Sequence, residues 1–567
     1  MTICIKTAKH SLFATFVFSL SFSFFARAAS FESLNEENNY NIEIEKNLNN
    51  NAENAFPGMD NFFNLGRSQT SKSNNKYTSV IKLIKEKKLK NAREKLATLL
   101  KQNPNDVQLY NLQALLEIQE NNIEAAKENY KKAIEVDPKI IDGYLNLAQI
   151  AFSEGQLNQA KKYVNTALTI SKNNTYAHLL RAKIALEQKD TITAEKTLLA
   201  ALKNNKGNLE SEAEIISYLG KYYIDEKQPK KLLPLSHDLI KRYPDNPLAL
   251  SILVSALVAN NQIQSAEEAL QKYITKHKND TNNRLTLIRL LSEHPNKGKK
   301  INELFDEIYS IEPNNLSALV FETNYLTITK EYKKALEIAD KVQSLVPDKS
   351  TGKQLKGDIF IAENKLDKAL AAYQQAHQIE PTNRTLFKIA DLMSAQGKIN
   401  GSINFLKKEL AINDKNIAAH FKLATIYQYQ NNSAQAQEHY NAVLAEQPDN
   451  VDALNNLAWL YLAQNDSRTL SVAEKAYKNS GEAPAIADTY GYALIKLGKP
   501  KEGLKILEKA AKSLPKIQDI QYHLAEAYTI NGNNRQAIEI LEKIVNSQKP
   551  FSEKKAASRL LKKLKSQ

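Results

Sequence analysis

Apolar positions recur along most of this chain in two interleaved helical rhythms. In residues 107–140, VQLYNLQALLEIQENNIEAAKENYKKAIEVDPKI, the positions Tyr110, Gln113, Ala114 and Glu117 fall at i, i+3, i+4 and i+7. Ile123, Ala126, Tyr130 and Ala133 repeat nearly the same step, and Glu120, Asn121 and Asn122 form a turn signal between the two stripes. The first stripe is more apolar in the following copy, where it reads Tyr144, Leu147, Ala148 and Ala151. The pattern predicts a pair of short antiparallel helices. Ala114, Ala126 and Ala133 return 34 residues later as Ala148, Ala160 and Ala167, and again as Ala182, Ala194 and Ala201. One period earlier stand Ala92 and Pro104, so the register runs unbroken from about residue 73 to about residue 206. A fixed period of this length marks an array in which each unit is one supersecondary element stacked on its neighbours. The small alanines let two helices approach, an aromatic of the second helix fills the space beside them, and the proline ends the unit.

These marks resemble the tetratricopeptide (TPR) repeat, with its small residue at the eighth position, alanine at the twentieth, aromatic at the twenty-fourth, alanine at the twenty-seventh and proline at the thirty-second. Later copies keep the spacing, as in Ala369, Tyr373, Ala376 and Pro381, in Ala436, Tyr440, Val443 and Pro448, and in Gly503, Leu507, Ala510 and Pro515. The resemblance implies an all-α TPR solenoid, a right-handed superhelix of about 14 helix-turn-helix repeats covering well over four fifths of the chain. The array is assigned to residues 76–551 and a C-terminal capping helix to 552–567, with Ser552 as its cap and Ala556, Leu560 and Leu564 facing inward. Between Ala201 and Leu232 the register slips, which predicts a longer loop over residues 206–212. Pro229 and Pro234 bracket the start of the next helix, which is expected to be shortened or bent, and residues 294–298 form an unusual turn.

The first residues follow a different logic. Lys6, Lys9 and His10 precede an apolar run over residues 12–25, and Ala26, Arg27 and Ala28 supply small residues at the two positions a signal peptidase needs. Residues 1–28 read as a secretory signal peptide cut after Ala28 or Ala29, and residues 29–75 as a disordered Asn/Ser-rich leader holding one apolar island, FPGMDNFFNLG, at 56–66. The product is expected to be exported, periplasmic or secreted, with no transmembrane helix in the mature chain. Cys4, the only cysteine, lies before the apolar run, so no lipoprotein cysteine, disulfide or thiol chemistry is expected. The formal charge is +14, or +11 without Lys6, Lys9 and Arg27. The lysines are spread along the chain, which reads as solvated helix faces rather than a nucleic-acid site.

Catalytic patterns are absent. The nine histidines are scattered, with no HExxH, no cysteine ligands, no GxxxxGK[ST] and no GxSxG. No enzyme activity, metal or cofactor is expected, and His420 and His439 read as surface residues of one repeat.

Function is most legible in residues 451–545, which contain NNLAWLY (455–461), AEKAY (473–477), PAIADTYGYAL (484–494) and YHLAEAY (522–528). This run resembles the C-terminal part of the TPR proteins found with PEP-CTERM/exosortase and exopolysaccharide export systems. It departs from them in lacking the lipoprotein cysteine and in carrying Tyr492 where tryptophan is common. The resemblance implies a scaffold that binds envelope proteins in the concave groove, in exopolysaccharide assembly or export. Carried onto this sequence, the groove positions are Asp452, Asn455, Trp459 and Leu462 in one copy and Ala485, Asp488, Tyr492 and Ile495 in the next. Trp459 and Tyr492 would stand side by side, as anchors for a peptide or a sugar ring or as rings filling gaps between helices. Direct polysaccharide binding and a secreted effector acting on host proteins are the other functional readings.

Overall fold

The computed structural model describes residues 75–120, 122–547 and 551–566. The expected signal peptide and all but the last residue of the leader, including the 56–66 island, lie outside the described residues, as does Cys4. Among the described residues there are twenty-nine α-helices, two short 3₁₀ turns and no strand. They fall into two compact units that divide between Asn315 and Leu316. The first runs from the hairpin Asn75–Lys85 and Leu89–Gln102 to the hairpin Thr281–Ser292 and Gly298–Ile311, seven hairpins in all. The second holds seven more, from Leu316–Ile328 and Tyr332–Leu345 to Gln518–Ile530 and Asn534–Asn546, followed by a last helix, Lys554–Lys565.

The hairpins form where the period places them, for local reasons. Ile141–Ser153 gives way to Leu157–Ile170 through Gly155, whose φ of +72° lies in the left-handed region that glycine enters without a Cβ clash. The Gln156 amide then donates back to the Ala151 carbonyl at 2.8 Å and closes the helix end. Ala148 and Ala160 are fully buried, and so are Tyr130, Tyr373 and Tyr440. Tyr440 donates from its hydroxyl to Gln428 at 2.6 Å, which satisfies its polar atom inside an apolar cluster. Tyr373 packs where Gly357 has no side chain, so the small position of one helix is the space the aromatic of the next one fills.

Three local expectations are corrected. The loop predicted over 206–212 is shorter, because Leu209–Asp225 starts inside it: Asn208 accepts from the Ser211 amide at 3.1 Å, and Glu212 accepts from the Gly207 amide at 2.8 Å while pairing with Arg242. Ser552 does not cap the last helix; its hydroxyl donates to Asp519 at 2.6 Å, and Ala557 with Leu564 takes the buried side. His420 and His439 are half-buried and face each other, Nδ1 to Nδ1, at 2.9 Å. As predicted, the helix after Pro229 is short, Leu232–Arg242, and Pro295–Lys297 forms a 3₁₀ turn.

Candidate functional site

Asp452, Asn455 and Trp459 rise along one helix, Val451–Gln464, whose first turn is fixed by the Asn450 side chain accepting from the Ala453 amide at 2.9 Å. Asp488 and Tyr492 stand on Pro484–Lys496, which begins with proline at a position that needs no amide hydrogen. The helix after its partner, Gln518–Ile530, contributes His523 and Glu526. These three helices bring three rings, Trp459, Tyr492 and His523, and two carboxylates, Asp488 and Glu526, together.

Trp459 is half-buried, and its indole Nε1–H donates to Thr489 Oγ1 at 2.8 Å. Its ring centre lies 5.6 Å from those of Tyr492 and His523, and Tyr492 stacks on His523 at 4.1 Å. Tyr492 is only 3% exposed and donates to Glu526 at 2.6 Å. Lys496 pairs with the same carboxylate at 3.1 Å and lies over the Tyr492 ring. Asp488 is 4% exposed and bridges to His523. Asn455 is buried as well, and its Oδ1 meets no donor among the described residues. Asp452 is exposed at the helix start. The sequence-predicted set therefore divides into an exposed Asp452 and a half-buried Trp459 with Asn455 buried between them on one helix, and a buried frame on the next, Asp488 and Tyr492, whose tyrosine ring packs against the indole.

The electrostatics follow from that division. Burial alone would push the His523 imidazole down, but the adjoining Asp488 carboxylate, with Glu526 and Glu553 beyond it, holds it above its ordinary value. Burial and Glu526 push the Tyr492 hydroxyl well up, and burial raises the Glu553 carboxyl. The His523 ring, hydrogen-bonded to Asp488 and stacked on Tyr492, orients the frame. His523, Glu526 and Thr489 were not singled out from the sequence, although the period offered a signal: Glu526 is Tyr492 advanced by one 34-residue repeat. Among the described residues no group of three or more His, Cys, Asp or Glu side chains is placed to hold a metal ion, and no helix is long and apolar enough to cross a membrane.

An array of helical hairpins with a fixed tryptophan at the seam between repeats defines a helical-repeat interaction scaffold. The repeats are tetratricopeptide repeats: residues 117–184 and 494–563 match one family model and residues 421–477 another, both described as tetratricopeptide repeat. The chain is similar to tetratricopeptide repeat protein 21A of Homo sapiens, 22% identical over 340 residues, which make up 54% of this chain and 26% of that one, so the match spans about a quarter of that relative. Among solved structures, yeast Tom70 aligns with 81% of this chain and 96% of its own at 15% identity and a TM-score of 0.32. The structure described as the APC/C hetero-tetramer Cut9-Hcn1 aligns with 83% and 98% at 15% identity and a TM-score of 0.35. The structure of Naa15/Naa10 bound to HypK-THB aligns with 88% and 97% at 13% identity and a TM-score of 0.35.

Proposed function

We propose that this chain is a non-enzymatic, exported scaffold of the bacterial envelope that holds a protein partner against the Asp452–Asn455–Trp459 stripe, in the assembly or export of a surface polysaccharide. The observation that carries the binding reading is Trp459. Its polar edge is satisfied by Thr489 and two rings back it, so its open side is held in one orientation with little entropy left to lose on contact. One turn earlier, Asn455 is buried, with its Oδ1 unpaired among the described residues. The envelope and polysaccharide assignments rest on the resemblance of residues 455–528 and on the signal-peptide pattern of residues 1–28.

The reading is tested with a photoreactive residue in place of the exposed Asp452, irradiated in cells and followed by mass spectrometry. Capture of one defined envelope protein, lost when Asn455 is changed to Leu, supports it; an adduct set made of cytoplasmic proteins rejects the envelope role. The open indole beside an amide and a carboxylate also suits a sugar ring. Quenching of the Trp459 emission by polysaccharide fragments, with no protein captured, would favour that second reading.

A further inference from the structure

The last helix, Lys554–Lys565, packs Ala557 and Leu564 against the preceding hairpin and exposes Lys555, Arg559, Lys562 and Lys563. At the helical step these four fall within one stripe roughly 100° wide. None of the four is salt-bridged among the described residues, whereas Lys554 and Lys565 at the margins are tied to the Ser547 carbonyl at 2.8 Å and to Glu542 at 2.6 Å. The helix contains no acidic residue. Beside the stripe lies a depression of about 410 Å³ lined by Val545, Ser558, Leu561, Lys562, Lys565 and Ser566, an apolar floor with a cationic rim. A capping helix needs a polar outer face, which mixed charges would provide. A face of one sign is more than capping requires.

The charge that complements it is in the same chain. Residues 496–565 hold sixteen Lys and Arg against seven Asp and Glu, nine of the net +14. Residues 30–60 hold seven Asp and Glu against the single Lys46. Within that acidic stretch, residues 41–48 read NIEIEKNL, where Ile42 and Ile44 alternate with Glu43 and Glu45. An extended backbone puts the two isoleucines on one side and the two carboxylates on the other. That is the pattern an apolar floor with a cationic rim would accept.

We propose that residues 41–48 of one copy dock on the last helix of a second copy, with Ile42 and Ile44 over Val545 and Leu561 and with Glu43 and Glu45 on the Lys555, Arg559, Lys562 and Lys563 stripe. The segment joins the chain ahead of the first hairpin while the face is on the last helix, in the other compact unit, and the occupant we assign is a second copy. The 26 residues between Leu48 and Asn75 reach about 30 Å as a flexible chain, and the helices in extensive contact are one or two places apart in sequence. Such a contact is heterologous, so it joins molecules head to tail.

The test uses the full chain with a photoreactive residue at the exposed rim position Ser558. Unlabelled and heavy-nitrogen copies are mixed in equal amounts and irradiated at about 0.05 M and about 0.5 M salt, a range over which the screening length falls severalfold. The expected adduct joins a light to a heavy copy, maps to residues 41–48 and drops at least tenfold at the higher salt. It is also lost in the surface variant Lys555→Glu/Arg559→Glu/Lys562→Glu/Lys563→Glu and restored when Glu43→Lys/Glu45→Lys is added. Adducts confined to one copy, adducts spread over other segments, or no adduct would each overturn the proposal. Sedimentation with phosphatidylglycerol vesicles in the absence of the 41–48 adduct would assign the face to a membrane instead.

Discussion

His523 Nδ1 lies 2.9 Å from both carboxylate oxygens of Asp488, and both side chains are buried. The Asp488 carboxylate accepts from the ring, and its charge favours the protonated imidazole in the folded state. Because the folded imidazole titrates above its ordinary 6.5, its contribution to stability is complete below that pH and is lost as pH rises through the folded value. Trp459, the only tryptophan, sits against His523 and reports on this neighbourhood. The denaturation midpoint read from its emission is expected to fall as pH is raised from 6.5 toward 9. Asp488→Asn should remove that slope and cost on the order of 3 kcal/mol, since it leaves a buried histidine without its counter-charge. A midpoint that does not change across this window in the unaltered protein would rule out an ionised pair.

A second histidine pair pulls the other way. His420 Nε2 donates to the Asp414 carbonyl at 2.9 Å, so its Nδ1 is an acceptor and His439 Nδ1–H is the donor to it. Burial, and then the facing His420, depress His439 below its ordinary 6.5. The folded state resists this proton, so stability is complete above about pH 6.5 and declines as pH falls from there toward the depressed value. His439→Asn should flatten the acid limb between pH 6.5 and 5 and leave the alkaline limb set by His523 in place. A variant that moves both limbs together would show that the two pairs are coupled.

Gly503 sets how closely two helices approach. A methyl there would stand 2.5 Å from the Gly491 carbonyl and 2.8 Å from Ile495, and backbone cannot move aside as a flexible side chain can. Alanine in a helix interior usually stabilises relative to glycine by up to about 1 kcal/mol. Here the sign is expected to reverse: Gly503→Ala should destabilise by about 1–3 kcal/mol. Gly491→Ala should cost less, because its new methyl meets a side chain, Leu507, at 2.9 Å and approaches backbone, the Gly503 carbonyl, only to 3.3 Å. Denaturant titrations of the two single variants give the order, and equal midpoints would refute the close-approach argument.

The hairpins were legible because the period fixes which positions carry alanine and which carry an aromatic, and Ala148, Ala160, Tyr373 and Tyr440 are all in the core. Periodicity names a face but not what covers it. It placed Tyr492 beside Trp459 without revealing that Glu526 and His523, one repeat later, close over the tyrosine and leave the indole half open. The 206–212 stretch was misread because its slipped register looked like loop, while Asn208 and Glu212 supply a helix start. The basic face of the last helix follows from the helical step of Lys555, Arg559, Lys562 and Lys563, whereas the acidic excess of residues 30–60 is averaged away in the whole-chain charge.

Thr489 ties the frame to the open ring, and it separates orientation from stability. Thr489→Val keeps the shape but removes the acceptor for the Trp459 indole N–H. The indole is half-buried but its acceptor, Thr489, is buried, so the stability loss should be about 1–2 kcal/mol. The ring, however, loses the contact that fixes its angle against Tyr492 and His523, and its emission should shift to the red. If the partner is held by the open side of Trp459, capture from position 452 should fall much further than stability does. Thr489→Ser, which restores the hydroxyl without the methyl, should recover capture. Equal capture by the valine and serine variants would mean that the partner uses Asp452 and Asn455 alone, and that Trp459 belongs to the packing between repeats.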